Sequence, residues 1–184
     1  MNISKIFENR RKVLGMNERN LIFIRKNNYR HAIKIADDKI LTKEVLINAG
    51  IPAPKLIATI NNTLEMEEFD WDNIPNSFVL KPVTGLEGAG IDIFYNRDQK
   101  GNWIRADKSK VSLEAMKMQV RDILDGKYSL NQLPDRVLLE ERVKTHKDFK
   151  YFTYKGTPDI RIIAYNKIPV MSFLRLPTRQ SKGK

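Results

Sequence analysis

Phe78-Val79-Leu80-Lys81-Pro82-Val83-Thr84-Gly85-Leu86-Glu87-Gly88-Ala89-Gly90-Ile91 reads as a buried strand that delivers one lysine into a glycine-rich turn. Lys81 at the end of that strand puts a cation at its mouth. Gly85, Gly88 and Gly90 let backbone N–H groups approach an anion without side-chain obstruction. A polyphosphate is the guest that such a pairing suits. The segment is not a Walker loop, since no Lys-Ser or Lys-Thr pair follows the last glycine, and the Rossmann spacing also fails. The competing reading is a tight hairpin whose glycines serve turn geometry and whose lysine is solvated.

Composition narrows the classes open to the chain. With 184 residues and 41% hydrophobic content it can bury a core of one domain, or one and a fraction. No apolar run approaches the roughly 18 residues of a membrane span, and residues 1–15 are too charged for a signal peptide, so a soluble, cytoplasmic protein is expected. The absence of cysteine removes disulfides, zinc–thiolate sites and thiol catalysis, and only His31 and His146 remain for histidine chemistry. No metal site is expected from these side chains. The formal charge of +11, from 33 basic and 22 acidic residues, would suit a nucleic acid. The excess is spread along the chain, however, without aromatic residues interleaved along a basic stripe, so nucleic acid is not the expected partner. The exception is residues 160–184, which hold no acid while Arg161, Lys167, Arg175, Arg179, Lys182 and Lys184 are basic.

Along the chain, Ile3, Ile6, Phe7, Val13 and Leu14 suit a short basic amphipathic helix, and Leu21, Ile22 and Ile24 mark a second apolar segment before a loop at 27–30. Asp37 or Asp38 is placed to cap a helix whose Leu41, Val45 and Leu46 share a side and which ends at Gly50. Lys39 and Lys43 read there as solvated helix residues. Ile51-Pro52-Ala53-Pro54 forces an extended chain, followed by a strand over 55–60, an acidic surface segment over 65–72 and the lysine strand over 77–82. Strands over 91–95 and 103–106 bracket the hairpin signal Arg97-Asp98-Gln99-Lys100-Gly101. Ser112 caps a helix over 113–124, with Leu113, Met116, Val120, Ile123 and Leu124 toward a sheet. A strand over 136–143 follows, and 159–165 pairs with 168–175 across Asn166-Lys167. Trp71 and Trp103 read as packing or rim residues. The class is α+β with mostly antiparallel strands.

Four segments in this order resemble the ATP-grasp superfamily: Asp38-Lys39-Ile40-Leu41-Thr42-Lys43 with Gly50-Ile51-Pro52-Ala53-Pro54, Val79-Leu80-Lys81-Pro82 with its glycine loop, Leu138-Leu139-Glu140-Glu141, and Asp159-Ile160-Arg161. The wording is most similar to the alpha-L-glutamate ligase-related branch, near the ribosomal-protein glutamate ligases. The resemblance implies ATP between two α+β lobes. Lys81 would sit on the phosphates, Lys39 would lie next to ATP, and the loop from Thr84 through Gly85 and Gly88 to Gly90 would close over the β and γ phosphates. Glu140 or Glu141 would meet the adenine amino group, with the Val143 N–H on a ring nitrogen. Strand alternation puts the two glutamates on opposite faces, and spacing to Asp148, the expected ribose ligand, favours Glu141. Arg161, and less directly Arg175, would face the transferred phosphate.

The implied reaction is ligation of a small-molecule or peptide carboxylate to an amine through an acyl phosphate, which needs no protein nucleophile. Family members hold magnesium on later acids, and no acid follows Asp159, so the ligands for Mg2+ are expected outside this chain. The chain is therefore expected to be the N-terminal portion of a longer protein. Its expected layout is a helical segment over 1–50, a small lobe with the glycine loop over 51–134, and the start of an incomplete C-terminal lobe over 135–184. A basic RNA-binding module and an inactive ATP-grasp scaffold are the alternatives.

Overall fold

The computed structural model describes residues 13–85, 88–149, 151–154 and 156–180. Ile3, Ile6, Phe7, Leu86, Glu87 and residues 181–184 lie outside them. The described chain opens with a helical run, α1 (Met16–Glu18), a π-helical stretch (Arg19–Ile24) and α2 (Arg25–Asn27), so the apolar 21–24 segment is helical. Helix α3 (Arg30–Asp37) begins where a loop is expected, and α4 (Lys39–Asn48) follows it.

Strands β1 (Leu56–Ile60), β2 (Phe78–Pro82), β3 (Asp92–Arg97), β4 (Trp103–Arg105), β5 (Lys110–Val111) and β6 (Val137–Glu141) form one sheet in the order β1-β6-β2-β3-β4-β5. Every neighbouring pair is antiparallel. Strands β7 (Asp159–Tyr165) and β8 (Ile168–Arg175) make a separate two-stranded antiparallel sheet, turning at Asn166 and Lys167, both at positive φ. The α+β class with antiparallel sheets stands. Strand β6 lies between β1 and β2, so the first sheet continues to Glu141.

One face of the large sheet carries the core. Phe78, Leu80, Phe94, Val137 and Leu139 meet α5 (Thr63–Glu68) through Met66 and α6 (Leu113–Leu124) through Met116, Val120 and Ile123. Trp71 and Trp103 are both buried in it. The acidic 65–72 segment is thus corrected: Glu65 and Glu67 are polar, but Met66 and Trp71 are core, and the Trp71 indole donates to the Met66 carbonyl at 3.2 Å. The Ser112 hydroxyl accepts from the Ala115 N–H at 3.2 Å, as its position before the helix requires. Ser112→Ala is expected to cost about 1 kcal/mol of unfolding free energy in a urea titration.

The opposite face of β2 and β6 is where the chemistry lies. Strand pairing sets Val79 opposite Glu140 and Lys81 opposite Leu138, so Val79, Lys81, Leu138 and Glu140 alternate away from the core. Helix α4 reaches over this face with its Lys43 ammonium.

Candidate functional site

The site starts from Asp38. Its carboxylate accepts from Ile40 N at 2.8 Å and Leu41 N at 3.0 Å, which caps α4, and it pairs with the Arg136 guanidinium at the start of β6. Asp38, not Asp37, is therefore the cap. The helix ends through Gly50 (φ +71°), with Ile51 N donating to the Leu46 carbonyl at 2.9 Å. Between these ends, Lys39 and Lys43 fall four residues apart and face the sheet together.

Lys43 is buried, with 7% of its surface exposed, which corrects the solvated reading. Its Nζ donates to Glu140 Oε2 at 3.0 Å and to the Pro54 carbonyl. Lys81 Nζ pairs with Glu140 Oε1. Glu140, 6% exposed, is therefore a carboxylate held between two ammonium groups, while Glu141 is exposed. This decides the choice left open by the sequence, and against the spacing argument: Glu140 is the inward residue. A buried carboxylate is tolerable here because both oxygens meet cations.

Lys39 takes a different partner. Its Nζ donates to the carbonyls of Val83 at 3.0 Å and Gly85 at 3.1 Å, at the root of the glycine-rich loop. Burial lowers its pKa below the ordinary lysine value, and the Lys81 ammonium lowers it further. Asp135, Asp38 and Glu140 oppose this. The Thr84 N–H donates to the buried Asp135 carboxylate at 3.0 and 3.2 Å, so in this structure it faces a protein anion.

The loop glycines divide by what holds them. A side chain on Gly85 would stand 2.1 Å from Pro82 Cγ, and one on Gly90 (φ +73°) 2.7 Å from the Tyr128 ring. These two serve close packing. A Cβ on Gly88 (φ +75°) would meet nothing within 4 Å among the described residues.

Two adjoining depressions share Glu140. One is lined by Val79, Ile93, Tyr95 and Val143 together with Glu141, Arg142, Thr145 and Thr157, a mixed apolar and polar surface at the end of β6. The other is lined by Lys39, Lys43, Lys81, Ala53 and Pro54. Arg142 walls the first depression: its guanidinium lies 4.3 Å from the Tyr95 ring centroid and donates to Ser77 Oγ at 2.9 Å. A flat group with polar edges beside a polyanion site is what this arrangement can hold.

Other expected residues do not converge on the cleft. Asp148 is exposed on a turn (Lys147–Phe149), with His146 Nδ1 3.4 Å from its carboxylate. Arg175 pairs with Asp159 at 3.2 Å on the two-stranded sheet, and Arg161 is exposed there without an ion pair among the described residues. Sequence reasoning missed Asp135 and Lys43. The four-residue spacing puts Lys43 on the helix face of Lys39, but nothing local announced its burial or Asp135.

Magnesium does not fit the described residues. No three acidic or histidine side chains among them converge as metal ligands. Glu140 gives both oxygens to lysines, and Asp135 both to N–H groups. No step below is routed through a metal ion. Among the described residues no helix is long and apolar enough to cross a membrane.

No curated protein and no solved structure matches the chain. A family model described as sugar-transfer associated ATP-grasp matches residues 18–184, which takes in α4, the lysine strand, the loop, β6 and the β7–β8 pair. This places the superfamily as expected but under a different heading from the glutamate ligase-related branch. With the three-lysine cleft and the antiparallel sheet beneath it, the chain belongs to the sugar-transfer associated ATP-grasp family, whose membership supports a ligase-type, ATP-binding function.

Proposed function

We propose that the chain is the ATP-binding part of an ATP-dependent carboxylate–amine ligase that works through an acyl phosphate. The observation that carries this is the convergence of Lys39, Lys43 and Lys81, the last two sharing the buried Glu140, beside a depression floored by Val79, Ile93 and Tyr95. Lys39 makes no ion pair among the described residues, although Asp135 and Asp38 lie near it, so its ammonium is the charge open to a polyphosphate. The base would lie on Val79, Ile93 and Tyr95, against the main chain of Glu141 and Val143. The phosphates would lie toward Lys81, Lys39 and Gly88. ATP activates the substrate carboxylate by phosphorylating it, and an amine then displaces phosphate from the acyl carbon. The protein residues bind, align and neutralise, which agrees with a chain free of cysteine.

For the substrates, the family heading favours a partner on a saccharide, carrying either the carboxylate or the amine. Glutamate as the donor rests on the resemblance of the sequence segments. Arg161 and Arg175 are proposed to meet the transferred phosphoryl group, and Asp148 the ribose. A cytoplasmic location is part of the same proposal.

Thermal unfolding with ATP or a non-hydrolysable analogue tests the reading. At a hundredfold excess over Kd the stabilisation is about 2.7 kcal/mol, a Tm rise of roughly 5–10 °C for a chain of this size. No rise with ATP, together with salt-steep RNA binding, would replace the ligase by a polyanion-binding module.

A further inference from the structure

Given nucleotide binding in this cleft, on which the role depends, we propose that Asp135 is a positioning residue that sets Lys39 through the backbone of residues 83–85. Asp135 is buried, 7% exposed, one residue before Arg136 and at the head of β6. It makes no ion pair among the described residues. Its carboxylate accepts from Thr84 N at 3.0 and 3.2 Å, and from Arg136 N at 2.7 Å. A buried carboxylate that accepts only N–H groups is held in one orientation, because rotation would leave its charge unsolvated.

The opposite side of the same short segment is held by Lys39. Its ammonium takes the carbonyls on either side of Thr84, those of Val83 and Gly85, while its N–H also donates to Val83 at 3.3 Å. Val83 N in turn donates to the Arg136 carbonyl at 2.9 Å, and the Arg136 side chain pairs with Asp38, the cap of α4. The N–H and the carbonyl of the planar Val83–Thr84 peptide point opposite ways, the first to Asp135 and the second to Lys39. Asp135 therefore turns the Val83 carbonyl toward Lys39, and the Gly85 carbonyl completes the pair two peptides on. Removing the carboxylate frees the Val83–Thr84 peptide to turn and weakens the acceptor pair that places the ammonium beside Lys81. A turn-stabilising role alone would leave Lys39 unaffected.

The test is a double-mutant cycle on ATP affinity, read by calorimetry on the full chain with Asp135→Ala, Lys39→Met and both. If Asp135 acts through Lys39, each single change raises the ATP Kd about tenfold and the double change raises it no further, since coupled residues are non-additive. Adenosine, which lacks phosphates, should bind the single variants as it binds wild type. Asp135→Asn keeps an acceptor for Thr84 N and should stay within threefold of wild type. Should Asp135→Ala not fold, Asp135→Asn decides the matter together with hydrogen exchange at Thr84, whose amide should remain protected. A hundredfold loss in the double variant, equal losses for adenosine and ATP, or a tenfold loss in Asp135→Asn would overturn the role of Asp135 while leaving the nucleotide site intact. Wild-type protein that binds neither ATP nor adenosine would instead overturn the nucleotide reading itself, and the role with it.

Discussion

Lys81→Ala is expected to abolish the ATP-induced rise in Tm and to raise the ATP Kd by about two orders of magnitude. Lys81 is the one cleft lysine delivered by a strand, and Pro82 and the buried Val83 follow it into the loop, so its position is set by the sheet. Its partner in this structure is Glu140, which also holds Lys43. A triphosphate would replace one carboxylate oxygen by a more highly charged acceptor. Each charge-assisted hydrogen bond contributes on the order of 1.5–3 kcal/mol, and a flexible ammonium stem would reach more than one oxygen of a bound triphosphate. Folding should be less affected than binding, because Glu140 keeps its bond to Lys43 at 3.0 Å and is not left as an isolated buried charge.

The same substitution has a consequence for pH. Burial and then the Lys81 ammonium lower the pKa of Lys39. The charged form of Lys39 is the one that would attract phosphate, so ATP affinity is expected to fall as pH rises, and sooner than an ordinary lysine would allow. Lys81→Ala removes the second of the two causes, and the alkaline fall should then move to higher pH. The measurement is the pH profile of ATP binding in wild type and variant. A variant that still shows the full ATP-dependent Tm shift would end the reading of Lys81 as a phosphate ligand.

What the sequence disclosed and what it concealed follow from how far each signal reaches. Ser112, Gly50 and a cap at Asp37 or Asp38 were legible because a cap is decided by neighbours within four residues; the structure returns Ser112 and Gly50 and takes Asp38 of the pair. The turn at Asn166-Lys167 was legible for the same reason. Lys43 was not, because its burial depends on Glu140, 97 residues away, and a lysine on an exposed-looking helix carries no local mark of that partner. The inward choice between Glu140 and Glu141 depends on register: β6 pairs with both β1 and β2, and the parity of that pairing puts Glu140 beside Lys81. Spacing to Asp148 could not supply it, since the segment between does not run as a strand. Asp135 reads as an ordinary acid before a strand until the fold brings it to the Thr84 N–H. The acidic 65–72 stretch concealed Met66 and Trp71 because composition averages over faces that the helix and the turn separate.

Gly126→Ala is expected to be strongly destabilising, with Gly50→Ala as its control. Both glycines follow a helix and adopt positive φ, +83° and +71°. Both helices close the same way: Lys127 N donates to the Asp122 carbonyl at 3.0 Å, and Ile51 N to the Leu46 carbonyl at 2.9 Å. The left-handed backbone alone costs an alanine roughly 1–2 kcal/mol. They differ in their surroundings. An added Cβ meets nothing within 4 Å at Gly50, but at Gly126 it would stand 2.3 Å from the Leu133 carbonyl oxygen and 2.5 Å from its carbon. Those are backbone atoms, which cannot rotate away as the end of a side chain can. The combined effect should be on the order of 4 kcal/mol, in the range reserved for a specific steric cause. The displaced segment leads directly to the site, since Asp135 N donates to the Leu124 carbonyl at 3.3 Å and its carboxylate holds Thr84. Pushing Leu133 outward therefore moves the anchor of the loop root. Gly126→Ala should weaken ATP binding as well as folding, whereas Gly50→Ala should reduce stability by about 1–2 kcal/mol and leave the ATP Kd within twofold. Equal losses in urea unfolding for the two variants would mean that residues 126–135 do not make the close approach on which the placement of Asp135 depends.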